Sequence, residues 1–148
     1  MEFNKLIADF AKRHNVENLV AVDGAAALDI DGIIVTIVAK GEMLNFSAEI
    51  GEPPADGEAV FANLLLEANI QPGAFFAKIP DPGPYVIARR IPLSMVDDDA
   101  FDAALEAFVN NAETWRRLLA DFRPAAKAAV ESTAAESSTF GSPGFMPV

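Results

Sequence analysis

The sequence contains no cysteine and one histidine, His14, among its 148 residues. Without cysteine the chain has no disulfides, no thiolate metal sites and no cysteine nucleophile, and this composition fits a reducing compartment. His14 falls at the end of a predicted helix, on or beside its apolar face, where we expect histidine to pack or to cap. A catalytic serine triad is therefore not expected, because the sequence offers no credible histidine base. A histidine-based metal site is not expected either, because one histidine supplies too few ligands. The sequence predicts no catalytic residue, no metal site and no cofactor.

Basic residues are scarce as well, because 11 lysines and arginines stand against 22 aspartates and glutamates, for a net charge of -11. A nucleic-acid-binding protein needs a basic surface, and the pairs Arg89–Arg90 and Arg116–Arg117 are too isolated to form one. The acidic residues are spread out, and those at a predicted hairpin or helix start have structural roles there. A glycine-rich phosphate loop is also missing. This composition predicts neither nucleic-acid binding nor an enzyme.

No apolar run reaches the roughly 18 to 20 residues that span a membrane. The N-terminal residues 1–15 alternate charged and apolar side chains at helical spacing, unlike a signal peptide. We therefore expect a cytoplasmic protein without membrane insertion. Hydrophobic residues still make up 51% of the chain, and 148 residues suffice for one domain with a buried core.

The first half of the chain predicts one helix and then three strands. The helix ends near Asn15 and carries its apolar residues on one face, namely Phe3, Leu6, Ile7 and Phe10. The pair Asp31–Gly32 favours a tight hairpin between the first two strands. The run "IIVTIVA", residues 33–39, is apolar on both faces and predicts a central strand covered on each side. In "MLNFSAEI", residues 43–50, apolar and polar residues alternate, which predicts one buried face.

The second half predicts a helix, two strands and a long helix. "VFANLLLEANI", residues 60–70, is the first of these helices, and Asp56 is a candidate for its N-cap. "AFFAKI" and "YVIARRI" predict two strands joined by the turn "PDPGP". The triplet Asp97-Asp98-Asp99 suits the start of the last helix, whose apolar residues recur every three or four positions as far as Phe122. The order α-β-β-β-α-β-β-α predicts an α+β fold with a mostly antiparallel sheet.

The composition changes after Pro124 to alanine, serine, threonine, proline and glycine. Such a segment has little to pack against a core. We therefore expect a folded domain over residues 1–122 and a low-complexity tail over residues 123–148. The tail ends in "TFGSPGFMPV", which has enough apolar side chains to occupy a neighbouring groove.

The helix at residues 60–70 carries apolar residues on two sides. One stripe is sufficient to dock the helix on a core, and it consists of Val60, Phe61, Leu64, Leu65 and Ala68. Leu66 points away from that stripe, together with Ala59 and Ala62, and Asn63 and Asn69 flank it. A domain of this size has little interior in which to bury a helix on all sides. The second strip therefore indicates contact with another chain.

These segments resemble the class I type III secretion chaperones of bacteria, the Tir chaperone family. "FANLLLEANIQPG" is similar to that family's second helix and its exit, and "RRIPL" to the end of its last strand. "DDDAFDAALEAFVNNAETWRRLLADF" is similar to its closing helix, and "ALDIDGIIVTIVA" to its first hairpin. The resemblance covers residues 1–122. It implies an acidic bacterial cytoplasmic homodimer that binds the N-terminal segment of a secreted effector and keeps it secretion-competent without ATP.

The resemblance also implies residues for both interfaces. Family members pair through their second helix and neighbouring strands, so the expected dimer contacts are Ala59, Ala62, Asn63, Leu66, Asn69 and Ile70. The effector in this family wraps as an extended chain and often adds a strand to the sheet. The expected effector contacts are Phe3, Ile7, Phe10, Val35, Ile37, Leu44 and Phe46. The tail departs from the family's compact end, and our hypothesis is that it covers the effector groove when no effector is bound.

Two other functions remain open at this point. An adaptor or immunity-type protein with the same fold would bind a folded partner instead of an extended segment. A small-molecule sensor or enzyme would need a pocket between the sheet and the long helix, and the sequence offers no convergent polar residues for one.

Overall fold

The structure is a computed structural model, and it describes residues 2–80 and 82–124. Residues 125–148, most of the predicted tail, lie outside the described residues. The elements follow the predicted order: α1 (Phe3–His14), β1 (Ala25–Ile30), β2 (Ile33–Lys40), β3 (Met43–Gly51), α2 (Glu58–Ala68), β4 (Phe75–Lys78), β5 (Tyr85–Pro92) and α3 (Asp98–Ala120). A short 3-10 turn, Leu93–Met95, precedes α3. The predicted α+β fold is confirmed.

All five strands of the described sheet pair antiparallel, in the order β1-β2-β3-β5-β4, which leaves β1 and β4 at its edges. The predicted hairpin at Asp31 and Gly32 joins β1 to β2, and both residues adopt left-handed backbone angles, with φ of 53° and 87°. Positive φ at both central residues is what a type I′ turn requires. The Asp29 carboxylate accepts a hydrogen bond from the Gly32 N–H at 2.9 Å and fixes the turn.

The described helices pack on one face of the sheet, which we call the inner face. Phe46, at the centre of β3, lies with its ring centroid 5.8 Å from that of Phe101 and 5.6 Å from that of Phe108 on α3. Phe10 brings α1 onto the same cluster at 5.3 Å from Phe101. Phe61 of α2 stacks on Tyr85 of β5 at 5.7 Å. One aromatic-rich core thus holds the helices and the sheet together.

The opposite face of the sheet, which we call the outer face, has no helix or strand packed on it within the described residues. Along β2 the side chains of Ile33, Val35 and Ile37 are buried on the inner face. On the outer face Ile34 is 61% exposed. The prediction that β2 is covered on both sides is therefore wrong. β3 follows its predicted alternation, with its apolar side chains buried and Glu49 exposed.

The start of α3 agrees with the sequence, and the start of α2 does not. Asp97 is the N-cap of α3, and its carboxylate accepts a hydrogen bond from the Ala100 N–H at 2.8 Å. Asp56 was expected to cap α2, but the N-cap is Gly57, with φ of 80° and no side-chain hydrogen bond. A Cβ at position 57 would lie 2.9 Å from Pro124, so only glycine fits where the chain after α3 crosses the start of α2.

A charged cluster joins the end of α1 to the start of α3. Arg13 contacts Asp98 at 3.0 Å and Asp102 at 2.5 Å, and the His14 Nε2 atom lies 2.9 Å from Asp102. Burial acts to raise the pKa of Asp102, but the hydrogen bonds from Arg13 and His14 outweigh it and hold that pKa below its ordinary value of 3.8. The charged form of Asp102 therefore stabilises the docking of α1 on α3.

We predict that Asp102→Asn makes the protein less stable at neutral pH and reduces its sensitivity to acid. A depressed folded pKa means that the stabilisation is complete above the unfolded pKa, and that it is lost as the pH falls through the lower folded value. The stability difference between wild type and Asp102→Asn should thus shrink below about pH 3.8. Urea unfolding between pH 7 and pH 3 measures it. The exposed Glu106 of α3 provides the control Glu106→Gln, and a pH-independent difference for Asp102→Asn would contradict the prediction.

Candidate functional site

The residues expected to contact an effector are all in the core. Their exposed fractions do not exceed 8%, and they are Phe3, Ile7, Phe10, Val35, Ile37, Leu44 and Phe46. Phe10 and Phe46 pack on Phe101, so a partner could reach them only if α1 or α3 moved. In this structure these side chains offer almost no apolar surface to a partner, and their contact with an effector stays a prediction. The alternating pattern identified the buried face of each element, but it could not say that the protein's own helices cover it.

Most of the large apolar side chains that reach solvent lie in three other places. Leu66 and Ile70 follow the second strip of α2, and they are 64% and 82% exposed. Val20 and Val22 lie in the connection from α1 to β1, beside one edge of the sheet. Ile34 and Ile79 border the outer face. Each group marks a separate surface where a polypeptide partner could bury apolar area.

The second strip of α2 forms one wall of a groove of about 180 Å³, which we call the α2–β4 groove. Its walls and floor are predominantly apolar and come from α2, β4 and the start of β5: Glu58, Ala62, Leu65, Leu66, Asn69, Phe76, Ala77, Lys78 and Tyr85. Leu65 and Phe76 are buried at the bottom, and Leu66 stands at the rim. A shallow apolar groove beside an exposed leucine suits a protruding side chain of another chain.

Most residues of the expected dimer contact lie on the solvent side of α2. Ala59, Asn63, Leu66 and Ile70 are exposed, and Ala62 is half-buried. Asn69 differs, because its side chain is already bonded within the chain. Its Oδ1 atom accepts from the Phe76 N–H at 2.7 Å, and its Nδ2 group donates to the Phe76 carbonyl at 3.2 Å.

Tyr85 was not expected from the sequence to belong to this surface. Its ring is 3% exposed at the floor of the α2–β4 groove, and its hydroxyl has no hydrogen-bond partner within the described residues. Burial raises the pKa of Tyr85, and the nearby Glu58 carboxylate raises it further. The hydroxyl is thus neutral, and it would gain a hydrogen bond from a partner group that reached the floor of the groove. A single tyrosine at the start of an amphipathic strand gave no signal that could separate this role from core packing.

The outer face of the sheet forms a broader concavity of about 500 Å³. Apolar and hydroxyl side chains line its centre, including Ile34, Thr36, Ser47 and Val86. Glu49 and Arg116 are the charged residues of its lining, and the Arg116 guanidinium donates to the Gly32 carbonyl at 3.2 Å. This mixture lacks a convergent set of catalytic groups and suits contact with a polypeptide.

The two edges of the sheet differ in the hydrogen-bond partners of their outward-pointing backbone groups. In β1 the Ala25 N–H and carbonyl pair with Val22 at 3.0 and 2.8 Å, which shows that these groups point outward from the sheet. Alternate residues of a strand share a direction, so the backbone groups of Ala27 and Asp29 point outward as well. No strand of the described residues lies beside them. In β4 the equivalent groups of Phe76 are bonded to Asn69.

Two further observations concern metals and membranes. The described residues hold no group of three or more histidine, cysteine, aspartate or glutamate side chains that could bind a metal ion. Within the same residues no helix is both long enough and apolar enough to cross a membrane.

Comparison with solved structures shows the same fold in proteins of low sequence identity. The chain is 23% identical to a chain of the ExsC–ExsE complex with a TM-score of 0.68, covering 78% of this chain and 92% of that one. It is 17% identical, with a TM-score of 0.62, to a chain in the structure of the Yersinia pestis type III secretion chaperone SycH with a fragment of YscM2, with coverages of 77% and 99%. For the HopA1–SchA chaperone–effector complex the identity is 17%, the TM-score 0.64 and the coverages 76% and 91%.

No curated protein sequence gives a significant match to the chain. One family model matches residues 5–116, a span that runs from the first turn of α1 to the penultimate turn of α3 and includes α2 and all five described strands. That span holds the sheet edges, the α2–β4 groove and the outer face. The chain belongs to the Tir chaperone protein (CesT) family.

Proposed function

We propose that this protein is a cytoplasmic chaperone that binds the N-terminal segment of a type III secreted effector, its client, and keeps the client secretion-competent without ATP. The observation that carries the proposal is a closed core beside a sheet whose outer face and β1 edge, at Ala27 and Asp29, have no helix or strand packed on them within the described residues. Such a surface takes up an extended polypeptide. Membership of a chaperone family and the similar fold of a chaperone–effector complex support it.

The β1 edge is the proposed place for a client strand. Ala27 and Asp29 direct their backbone groups outward, and an added strand would pair with both. Val20 and Val22 lie beside this edge, 65% and 63% exposed, and a client strand would cover them. Main-chain hydrogen bonds supply affinity in this mode of binding, and side-chain pockets supply specificity.

A second copy of the chain is the proposed occupant of the α2–β4 groove. Ala59 and Ala62 are small enough to let two α2 helices approach closely, and Leu66 of one copy would enter the groove of the other. Such an arrangement is symmetric, because each copy offers the same knob and the same groove. Ile70 would extend the contact beyond the end of the helix.

Affinity capture from the native cells, followed by mass spectrometry and limited proteolysis, tests the chaperone function. We expect one dominant polypeptide that is protected over a segment near its N-terminus and cleaved elsewhere. A partner that is protected throughout would instead indicate an adaptor for a folded protein. Recovery of no polypeptide under secretion-inducing conditions would contradict the proposal.

The β1 edge is tested with Ala27→Pro in a binding assay with the captured client. Proline removes an N–H that points outward, so the β1–β2 ladder stays intact while the edge loses a donor and gains bulk. We expect client affinity to fall by roughly tenfold or more, in line with the loss of hydrogen bonds at the added strand. Ala27→Ser keeps the N–H and serves as the control. Equal client affinities for Ala27→Pro and Ala27→Ser would show that the client binds at another surface.

The dimer is tested with Leu66→Asp, measured as molar mass by light scattering after size-exclusion chromatography. A carboxylate in an apolar contact costs several kcal/mol, on the order of the penalty for an unpaired buried charge. The variant should therefore be monomeric where the wild type is dimeric. Leu118→Asp is the matched control, because Leu118 of α3 is 50% exposed and does not line the groove. A dimeric Leu66→Asp protein would place the interface elsewhere.

The Tyr85→Phe variant tests whether the Tyr85 hydroxyl is hydrogen-bonded within a single chain or only in the dimer. In a monomeric Leu66→Asp background the substitution should raise stability by about 1 kcal/mol, since it removes a buried hydroxyl that has no hydrogen-bond partner among the described residues. In the dimeric protein we expect the same substitution to weaken association, because the second copy then loses a hydrogen-bonding group. Urea unfolding and dilution-dependent mass measure the two effects. A loss of stability in the monomer would show that the hydroxyl is already bonded.

A further inference from the structure

The outer edge of β4 is short and has a defined backbone pattern. The Ile79 N–H donates to the Pro84 carbonyl at 3.0 Å, which shows that the odd-numbered residues of this strand direct their backbone groups towards β5. Phe76 and Lys78 therefore direct theirs towards the outer edge. A strand that added to β4 would depend on these two residues for its ladder.

Asn69 occupies the position that a neighbouring strand would take beside Phe76. Its amide accepts from the Phe76 N–H at 2.7 Å and donates to the Phe76 carbonyl at 3.2 Å, so both backbone groups are satisfied by one side chain. The end of α2 holds this side chain in place, because the Asn69 N–H donates to the Leu65 carbonyl at 3.0 Å. These two hydrogen bonds resemble the pair of N–H to carbonyl bonds that two opposite residues form in an antiparallel ladder.

We infer that Asn69 closes the β4 edge and thereby leaves β1 as the edge at which a strand can be added. An incoming strand would have to replace two existing hydrogen bonds at Phe76 before it gained any, whereas at Ala27 and Asp29 it displaces no strand of the described residues. The part of this inference that concerns the client rests on the proposed function. The closure of β4 does not.

The closure also determines how a partner meets the α2–β4 groove. With Phe76 bonded to Asn69, a second copy contacts this side through side chains such as Leu66 and does not extend the sheet. Two sheets that joined through β4 would present a continuous edge-to-edge pairing, which is the usual route by which uncovered strands aggregate. Asn69 is thus a positioning residue that selects the mode of association.

Hydrogen exchange at the Phe76 amide tests the closure directly. In Asn69→Ala we expect this amide to exchange roughly tenfold faster or more, the factor for loss of one hydrogen bond. In Asn69→Asp the carboxylate still accepts from the N–H, so protection should remain. Asn63→Ala, an exposed asparagine on the same helix, is the control. All variants are compared in the Leu66→Asp background, so that protection by a second copy does not contribute.

Unchanged exchange at Phe76 in Asn69→Ala would overturn the inference, even if the client and dimer experiments succeed. Conversely, failure of those experiments would not alter the Phe76 result. The two proposals can therefore fail separately.

Disulfide trapping tests the consequence for strand pairing, and the absence of cysteine from the sequence gives it a clean background. If two β4 edges pair antiparallel through Phe76 and Lys78, the two copies of residue 77 lie directly opposite, at about 4.5 Å between Cα atoms. This separation permits a disulfide. In the Leu66→Asp background, which removes the proposed α2 contact, we expect Ala77→Cys to cross-link roughly tenfold faster when combined with Asn69→Ala than alone or with Asn63→Ala, since opening the edge removes two competing hydrogen bonds. Equal rates would show that Asn69 does not control this edge.

Discussion

The packing of α3 across the centre of the sheet is the contact on which the other features depend. Phe101 and Phe108 meet Phe46 in the middle strand, and Phe10 brings α1 onto the same aromatic group. Aromatic pairs of this kind bury a large area and fix the angle between the elements. Because the described helices use one face of the sheet, its other face is left for contacts with other molecules.

The two edges of the sheet present different surfaces to a partner. The difference follows from where α2 ends. The last turn of α2 places Asn69 against Phe76, so the β4 side presents a groove and an apolar helix face. The β1 side has the single pair between Val22 and Ala25 and then outward-pointing backbone groups. One edge therefore suits side-chain contacts, and the other suits main-chain pairing. The proposed dimer would use the first kind of surface, and the proposed client strand would use the second.

The sequence predicted the elements well because its local signals agree with one another. The Asp31–Gly32 turn, the cap at Asp97 and the apolar stripe of α3 each specify a boundary or a face through residues close in the chain. Leu66 was identified as exposed because it breaks the pattern of its own helix. The order of these elements, together with their wording, led to the resemblance to a chaperone family, and the family match confirms that resemblance.

The surfaces were less predictable because they depend on distant contacts. Val35 and Ile34 are both β-branched residues in one apolar run, and only the position of the helices decides that one is buried and the other exposed. The bonds from Asn69 to Phe76 require a helix end and a strand to meet in three dimensions, and no local signal encodes them. The cap of α2 was missed for the same reason, since Phe122 and Pro124 lie far along the chain from Gly57.

That last contact bears on the order in which the domain folds. The first turn of α2 has no side-chain cap of its own, and Phe122 and Pro124 cover its start. A helix of 11 residues is marginal in water without packing partners. Its stability therefore depends on residues that follow α3 in the chain. A nascent chain that ends before Phe122 lacks these packing partners, so we expect α2 to be less stable in it than in the whole domain.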